Sequence, residues 1–172
     1  MNKLEIKLVG HPLLREIASP VTDITPDILR TLNEMADMME NAMGVGLAAP
    51  QVGISKRFFV MKELVSRDDV GILHKMINPR ILSKSDDVAV LEEGCLSVLG
   101  IDGPVFAKVS RPESVVVEWT NENGEKRTHE FSGVAARVVQ HEIDHLDGIL
   151  FVDYLSSAKR EMLMNKVKKR KV

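Results

Sequence analysis

In residues 138–148, Val-Val-Gln-His-Glu-Ile-Asp-His-Leu-Asp-Gly, two histidines stand four apart with a glutamate directly after the first. On an α-helix, positions i and i+4 share a face about one turn apart. At that spacing His141 and His145 can grip one metal ion, and Glu142 between them can act on a metal-bound water. The flanks are apolar on more than one side: Val134, Ala135, Val138, Val139, Ile143 and Leu146. That pattern predicts a buried central helix, and a buried pair of imidazoles needs polar partners. A metal ion is the economical one.

The third ligand decides the class of site. An extension to His-Glu-x-x-His-x-x-Gly-x-x-His would supply a third histidine. The chain matches it as far as Gly148, but the last position is Phe151. Glu161 is a downstream carboxylate, yet Ala158-Lys159-Arg160 before it reads as a solvated helix face. Cys95 is the better candidate. It follows Gly94 in a segment of small residues, and thiolate is a strong ligand for zinc and ferrous iron. It is also the only cysteine, so the chain forms no internal disulfide, which suits a reducing compartment.

The elements that must position these groups follow from the pattern. Residues 4–9 alternate apolar and polar, as a short strand or extended segment does. Thr25-Pro26-Asp27 opens a helix: a cap, a proline at the first turn, and an acid at the positive end. It should run to about Ala42 and stop before Gly44. Gly44 to Gly53 is glycine- and alanine-rich, so another chain or a ligand can come close to its backbone. Arg57–Met61 predicts a buried strand and 62–71 a polar loop. Lys75-Met76-Ile77 predicts a strand ended by an Asn78-Pro79 turn. Ile81-Leu82 and Val88–Leu91 read as strands flanking a polar turn, and 99–108 as a loop. Strands at 114–119 and 126–131 flank an Asn121–Gly124 hairpin signal. Ser132 should cap the histidine-bearing helix and Gly148 should end it. Ser156 should cap a last helix reaching about Lys169.

The 172 residues are expected to form one domain, 1–172. A net charge of −2 gives no global reason to expect nucleic-acid binding. No apolar run approaches the ~20 residues of a membrane span. The first residues lack the apolar core of a signal peptide. A cytoplasmic protein is the expectation, with no membrane and no sequence-specific nucleic acid as partner.

Three stretches resemble, in order and spacing, the three motifs of the peptide deformylase family: Gly44-Val45-Gly46-Leu47-Ala48-Ala49-Pro50-Gln51, Glu93-Gly94-Cys95-Leu96-Ser97 and Gln140-His141-Glu142-Ile143-Asp144-His145. Weaker similarity covers nearly the whole chain. The resemblance implies removal of the formyl group from formyl-methionine at the start of newly made polypeptides. It implies an α+β fold, mostly antiparallel sheets packed around the metal-binding helix, with an N-terminal and a C-terminal helix. It implies one divalent ion, Fe²⁺ in the cell with Zn²⁺, Ni²⁺ or Co²⁺ as substitutes, held by Cys95, His141 and His145. Metal-bound hydroxide would attack, with Glu142 as general base and acid. Gln51 and the Leu96 backbone N–H would donate to the oxyanion. Val45, Leu96, Val138 and His141 would surround the methionine side chain, and Gly44 and Gly46 would let the substrate lie alongside in extended form. Glu93 is expected to pair with Arg111, Gln140 to orient Cys95 or the metal surroundings, and Asp144 to support the site from behind.

Two positions depart from the family pattern. Leu99 stands where proline is usual, in a loop longer than usual. Arg137 stands where an apolar pocket residue is common, so that its stem would line the pocket and its charge snorkel out, or the pocket shape would differ. The basic end, Asn165–Val172, allows a ribosome contact or simply complements a helix C-terminus. A metallopeptidase and a binding module with a structural metal are the competing readings. The second is weakened because structural sites use four protein ligands and only three are convincing here.

Overall fold

The computed structural model describes residues 4–64 and 71–168. Three helices and nine strands occur among them: α1 (Pro26–Asn41), β1 (Gly46–Ala48), β2 (Phe58–Glu63), β3 (Ile72–Lys84), β4 (Val88–Glu93), β5 (Leu99–Gly100), β6 (Gly103–Pro104), β7 (Ala107–Pro112), β8 (Ser114–Thr120), β9 (Lys126–Ser132), α2 (Gly133–Leu146) and α3 (Ser157–Lys168). The main sheet has the order β1-β2-β3-β8-β9, and β4-β7 and β5-β6 form two smaller sheets. Every ladder is antiparallel. The architecture is α+β, with α2 as the helix that the sheets enclose.

Helix α1 starts as its sequence dictates. Pro26 occupies the first turn and the Thr25 hydroxyl accepts from the Ile28 N–H at 3.3 Å. Its Leu32, Met35 and Met39 pack with Phe58, Val60 and Ile77. The alternate residues of β2, Phe59 and Met61, face the other way and pack with Ala136, Val139, Ile143 and Leu146 of α2. The two-residue period of the strand thus serves two helices on opposite faces. Eleven of the 14 residues of α2 are buried, as its all-round apolar pattern requires.

Residues 4–8 are extended, the second of the two forms expected of them, and join no sheet; the Lys7 N–H donates to the Gln51 carbonyl at 2.7 Å. Other local expectations are corrected. Asn78-Pro79 is no turn. Strand β3 runs through it, with register shifts between Ile77 and Arg80 and again between Ile81 and Ser83. Asn78 takes a φ of 50° there, a conformation asparagine tolerates, and the broken register accommodates the proline that cannot donate. The Asn78 side chain then clamps the Val21 backbone, with both bonds at 2.8 Å. The 99–108 loop contains the β5–β6 hairpin and the start of β7. Ser132 makes no capping bond, because it is still the last residue of β9, paired with Ser114. Gly133, at a φ of 57°, turns the strand directly into α2. At the far end Gly148 takes the left-handed conformation and stops the helix. Residues 65–70 of the expected polar loop, and Lys169 at the expected end of the last helix, lie outside the described residues.

Candidate metal centre

Helix α2 brings the His141 and His145 rings to a centroid distance of 4.9 Å. Cys95 reaches them from a different element. Strand β4 ends at Glu93, Gly94 follows, and a tight turn closed by Val98 N–H to Cys95 C=O at 3.0 Å aims the thiol inward. Its Sγ lies 3.3 Å from His145 Nε2. One ligand atom from each of Cys95, His141 and His145 falls within 4.8 Å of the others, and all three residues are buried. Glu161 is exposed and not among them. Phe151 stacks on His141 at a centroid distance of 6.1 Å.

The surroundings suit a metal. His141 Nδ1 lies 3.0 Å from Glu93 Oε2, which keeps a proton on Nδ1 and turns Nε2 toward Cys95, where a metal would take the place of any Nε2 proton. The Ser97 N–H and Gln51 Nε2 both donate to Cys95 Sγ at 3.4 Å and hold the side chain in place. Two imidazoles and a thiol converging in a buried site form a donor set for a borderline-soft divalent ion.

Glu93 organises the support. Its Oε1 accepts from Arg111 Nε at 2.5 Å and Arg137 Nη1 at 2.6 Å. Its Oε2 accepts from Arg111 Nη2 and pairs with His141 Nδ1. Burial on its own would raise this carboxyl, but the bonds to His141 and Arg111 outweigh it and hold the pKa down at about 2. Arg111 continues to Asp144 Oδ2 at 2.8 Å, where the Tyr154 hydroxyl also donates. The expected Glu93–Arg111 pair is therefore present, and Asp144 stands behind it.

Of the two readings of Arg137, the one that sends its charge to water is corrected, which leaves a differently shaped pocket. Arg137 is 7% exposed, and besides Glu93 it donates to the carbonyls of Val109 and Ala89 at 2.9 and 2.7 Å. A buried carboxylate with open lone pairs outcompetes hydration for the guanidinium. Gln140 does not touch Cys95; its amide donates to the carbonyls of Pro112 and Ala136 and ties α2 to the end of β7.

Glu142 has the opposite environment. It is 4% exposed, and its Oε2 has no hydrogen-bond partner among the described residues. Burial is the largest influence and pushes its pKa up to about 7, against the opposing pull of His141. Its carboxylate lies against Gly46 of β1. A Cβ at Gly46 would stand 2.3 Å from Glu142 Oε1, so only glycine lets the strand approach.

A cleft of about 310 Å³ opens onto these groups, bordered by Gly44, Val45, Leu96, Val138, His141 and Glu142. Gln51, in the short helical turn Ala49–Val52, reaches the same cleft. Its Oε1 is held by the Ala48 N–H at 2.8 Å, which points its Nε2 toward Cys95 and Ser97. Ser97 and Phe106 were not singled out from the sequence. Ser97 was legible only as the last residue of its motif, and Phe106 carried no periodic signal.

The family described as Polypeptide deformylase matches residues 3–161. The peptide deformylase of Thermotoga maritima is 43% identical over 162 residues, covering 94% of this chain and 93% of that protein. That of Pelagibacter ubique is 42% identical over 170 residues, covering 98% and 95%. The crystal structure of peptide deformylase from Ehrlichia chaffeensis superposes with a TM-score of 0.91 at 35% identity, over 99% of this chain and 97% of its own. A second structure of that protein, in complex with actinonin, superposes with a TM-score of 0.90 at 36% identity, over 99% and 98%.

Proposed function

The chain belongs to the polypeptide deformylase family, whose enzymes are metal-dependent, and on that premise we propose that it hydrolyses the N-formyl group of formyl-methionine on newly synthesised polypeptides. The observation that carries this reading is the convergence of Cys95, His141 and His145 beside the buried Glu142, at a cleft wide enough for a methionine side chain.

A divalent ion held by Cys95, His141 and His145 would lower the pKa of a water and polarise the formyl carbonyl. Iron(II) is our reading for the cell, with Zn²⁺, Ni²⁺ or Co²⁺ as substitutes; thiolate and imidazole suit all of them. The protein supplies the remainder. Glu142 takes a proton from the attacking water on its orphan oxygen. It returns that proton to the methionine nitrogen as the C–N bond breaks and formate leaves. A pKa near 7 suits a group that must both accept and donate at neutral pH. Gln51 Nε2 and the Leu96 N–H donate to the oxygen that becomes negative. Val45, Leu96, Val138 and His141 wall the methionine pocket. Strand β1 is an edge strand, so Gly44 and Gly46 leave room for the substrate backbone beside it. Glu93, Arg111 and Gln140 support the ligands and the helix that bears them.

The same reading treats residues 1–172 as one catalytic domain working in the cytoplasm, where nascent chains are made. A lone cysteine used as a ligand supports a reducing compartment, and no described helix is long and apolar enough to cross a membrane. A ribosome contact through the basic end extends the reading; its last residues, 169–172, lie outside those described.

Formyl-Met-Ala-Ser, incubated with enzyme prepared without oxygen, should yield formate and a free amine. Glu142→Gln should stop this without loss of bound metal. Cleavage of internal bonds in unblocked peptides, with formyl-Met-Ala-Ser left intact, would overturn the proposal in favour of a metallopeptidase. Loss of activity in air would mark Fe²⁺, and indifference Zn²⁺ or Ni²⁺.

A further inference from the structure

A second and larger hollow, about 670 Å³, lies between the β5–β6 hairpin, the start of β7 and helix α3. Pro104 and Phe106 border both hollows, so the second adjoins the cleft of the candidate metal centre at Phe106 and extends along α3. Phe106 is the divide. Its ring rests on Gly94, where a Cβ would meet Cε1 at 2.5 Å, yet the residue is 61% exposed. Beyond it the floor is apolar, with Ile101 and Met162 both about two-thirds exposed at 65% and 67%. Its lining also holds Lys108, Lys159 and Lys166 against Asp102, with Glu92 paired across from Lys108 in the β4–β7 ladder. An exposed aromatic, an apolar floor and a cationic lining, adjoining a peptide-binding cleft, form a place for more peptide.

We propose that this trough binds the substrate polypeptide beyond its third residue and favours chains with acidic side chains at about the fourth to sixth positions. The proposal rests on the deformylase reading and deepens it. It is tied to this chain's own departure from the family pattern, since Leu99 and the long 99–108 segment build the hairpin that walls the trough. Backbone and apolar side chains lie over Phe106 and Met162, and the carboxylates meet the three lysines. Exposed ion pairs are individually weak and screened by salt, so the preference should be modest and salt-sensitive.

The test compares formyl-Met-Ala-Ser with two formylated hexapeptides that extend it by Asp-Leu-Glu or by Lys-Leu-Lys. The acidic hexapeptide should show a KM lower than the tripeptide by about fivefold with kcat unchanged, as binding shared equally by the ground and transition states requires. The basic hexapeptide should show no gain, and 0.5 M salt should erase the difference. The combined variant Lys108→Glu, Lys159→Glu, Lys166→Glu should reverse the preference while its tripeptide kinetics, which also report folding, stay the same. Phe106→Ala should reduce the gain of the acidic hexapeptide. Equal constants for all three peptides, or a preference that survives the triple variant, would overturn the trough. Failure to deformylate the tripeptide at all would instead overturn the deformylase reading beneath it.

Discussion

Two glutamates stand within a few residues of the same ligands, both nearly inaccessible, and chemistry has made them opposites. Glu93 faces four donors from Arg111, Arg137 and His141 and is held at about 2. Glu142 has an oxygen with no donor and is raised to about 7. Water reaches little of either, at 5% and 4% exposure, and burial pushes both upward; only Glu93 has the partners that offset it. A carboxylate saturated with hydrogen bonds is a fixed anion, good for orienting an imidazole. A carboxylate left wanting one can exchange protons at neutral pH.

That contrast can be broken from either side. Glu142→Gln removes the proposed proton carrier and should lower kcat by about 10²–10⁴-fold. Metal content should hold, and thermal stability should hold or rise, because no ion pair is lost. A drop in metal content would show that Glu142 is a structural member after all. Gly46→Ala tests the same group without touching it. The new Cβ must displace the carboxylate, and a shift of about 1 Å in a reacting group costs on the order of 10²-fold. Wild-type turnover in this variant would mean that the position of Glu142 is not critical.

The fixed anion should fail differently. Glu93→Gln leaves two buried guanidiniums short of a charge and His141 less firmly oriented. Metal affinity should fall about 10–100-fold, with a loss of stability of about 3–5 kcal/mol, measured by metal titration and denaturant unfolding. Unchanged affinity would detach Glu93 from the metal centre.

Asp153 is a control that bonds to neither glutamate. Burial opposes its ionisation, but the Arg15 side chain and the Leu150 N–H hold its pKa below the ordinary 3.8. A lowered folded value gives stability that is present above the unfolded pKa and lost as pH falls through the folded one. Asp153→Asn should therefore lower the melting temperature slightly at pH 7 and make no difference below the carboxylate range. Its turnover should match the wild type; a loss of activity would reveal a coupling that the ion pair does not suggest.

Much of the metal centre was legible because its strongest signal is local. Helical periodicity alone sets His141 and His145 on one face, and Thr25-Pro26 marks the start of α1 without reference to the remainder of the chain. What was not legible depends on contacts between distant segments. Arg137 and Glu93 are 44 positions apart, and nothing near Arg137 announces that a buried carboxylate waits for it. Gln140 was aimed at the metal by its neighbours in sequence but spends its amide on Pro112, 28 positions away. Asn78-Pro79 has turn composition, yet the ladders on both sides of β3 hold that strand straight through a bulge. In each case the competing partner won because it was already in place in three dimensions.

The ladder between β4 and β7 has one more implication, for how this protein can change. Glu93 is registered against Ala107, and Ala89 against Arg111, so the ends of the intervening stretch are pinned to each other. Its tip, Ile101–Asp102, is an outward excursion whose ends cannot drift. Lengthening or recolouring that tip leaves the ligand-bearing frame where it is. If the trough binds substrate as proposed, its preference can be remodelled there, by evolution or by design, without moving Glu93 or Ala107.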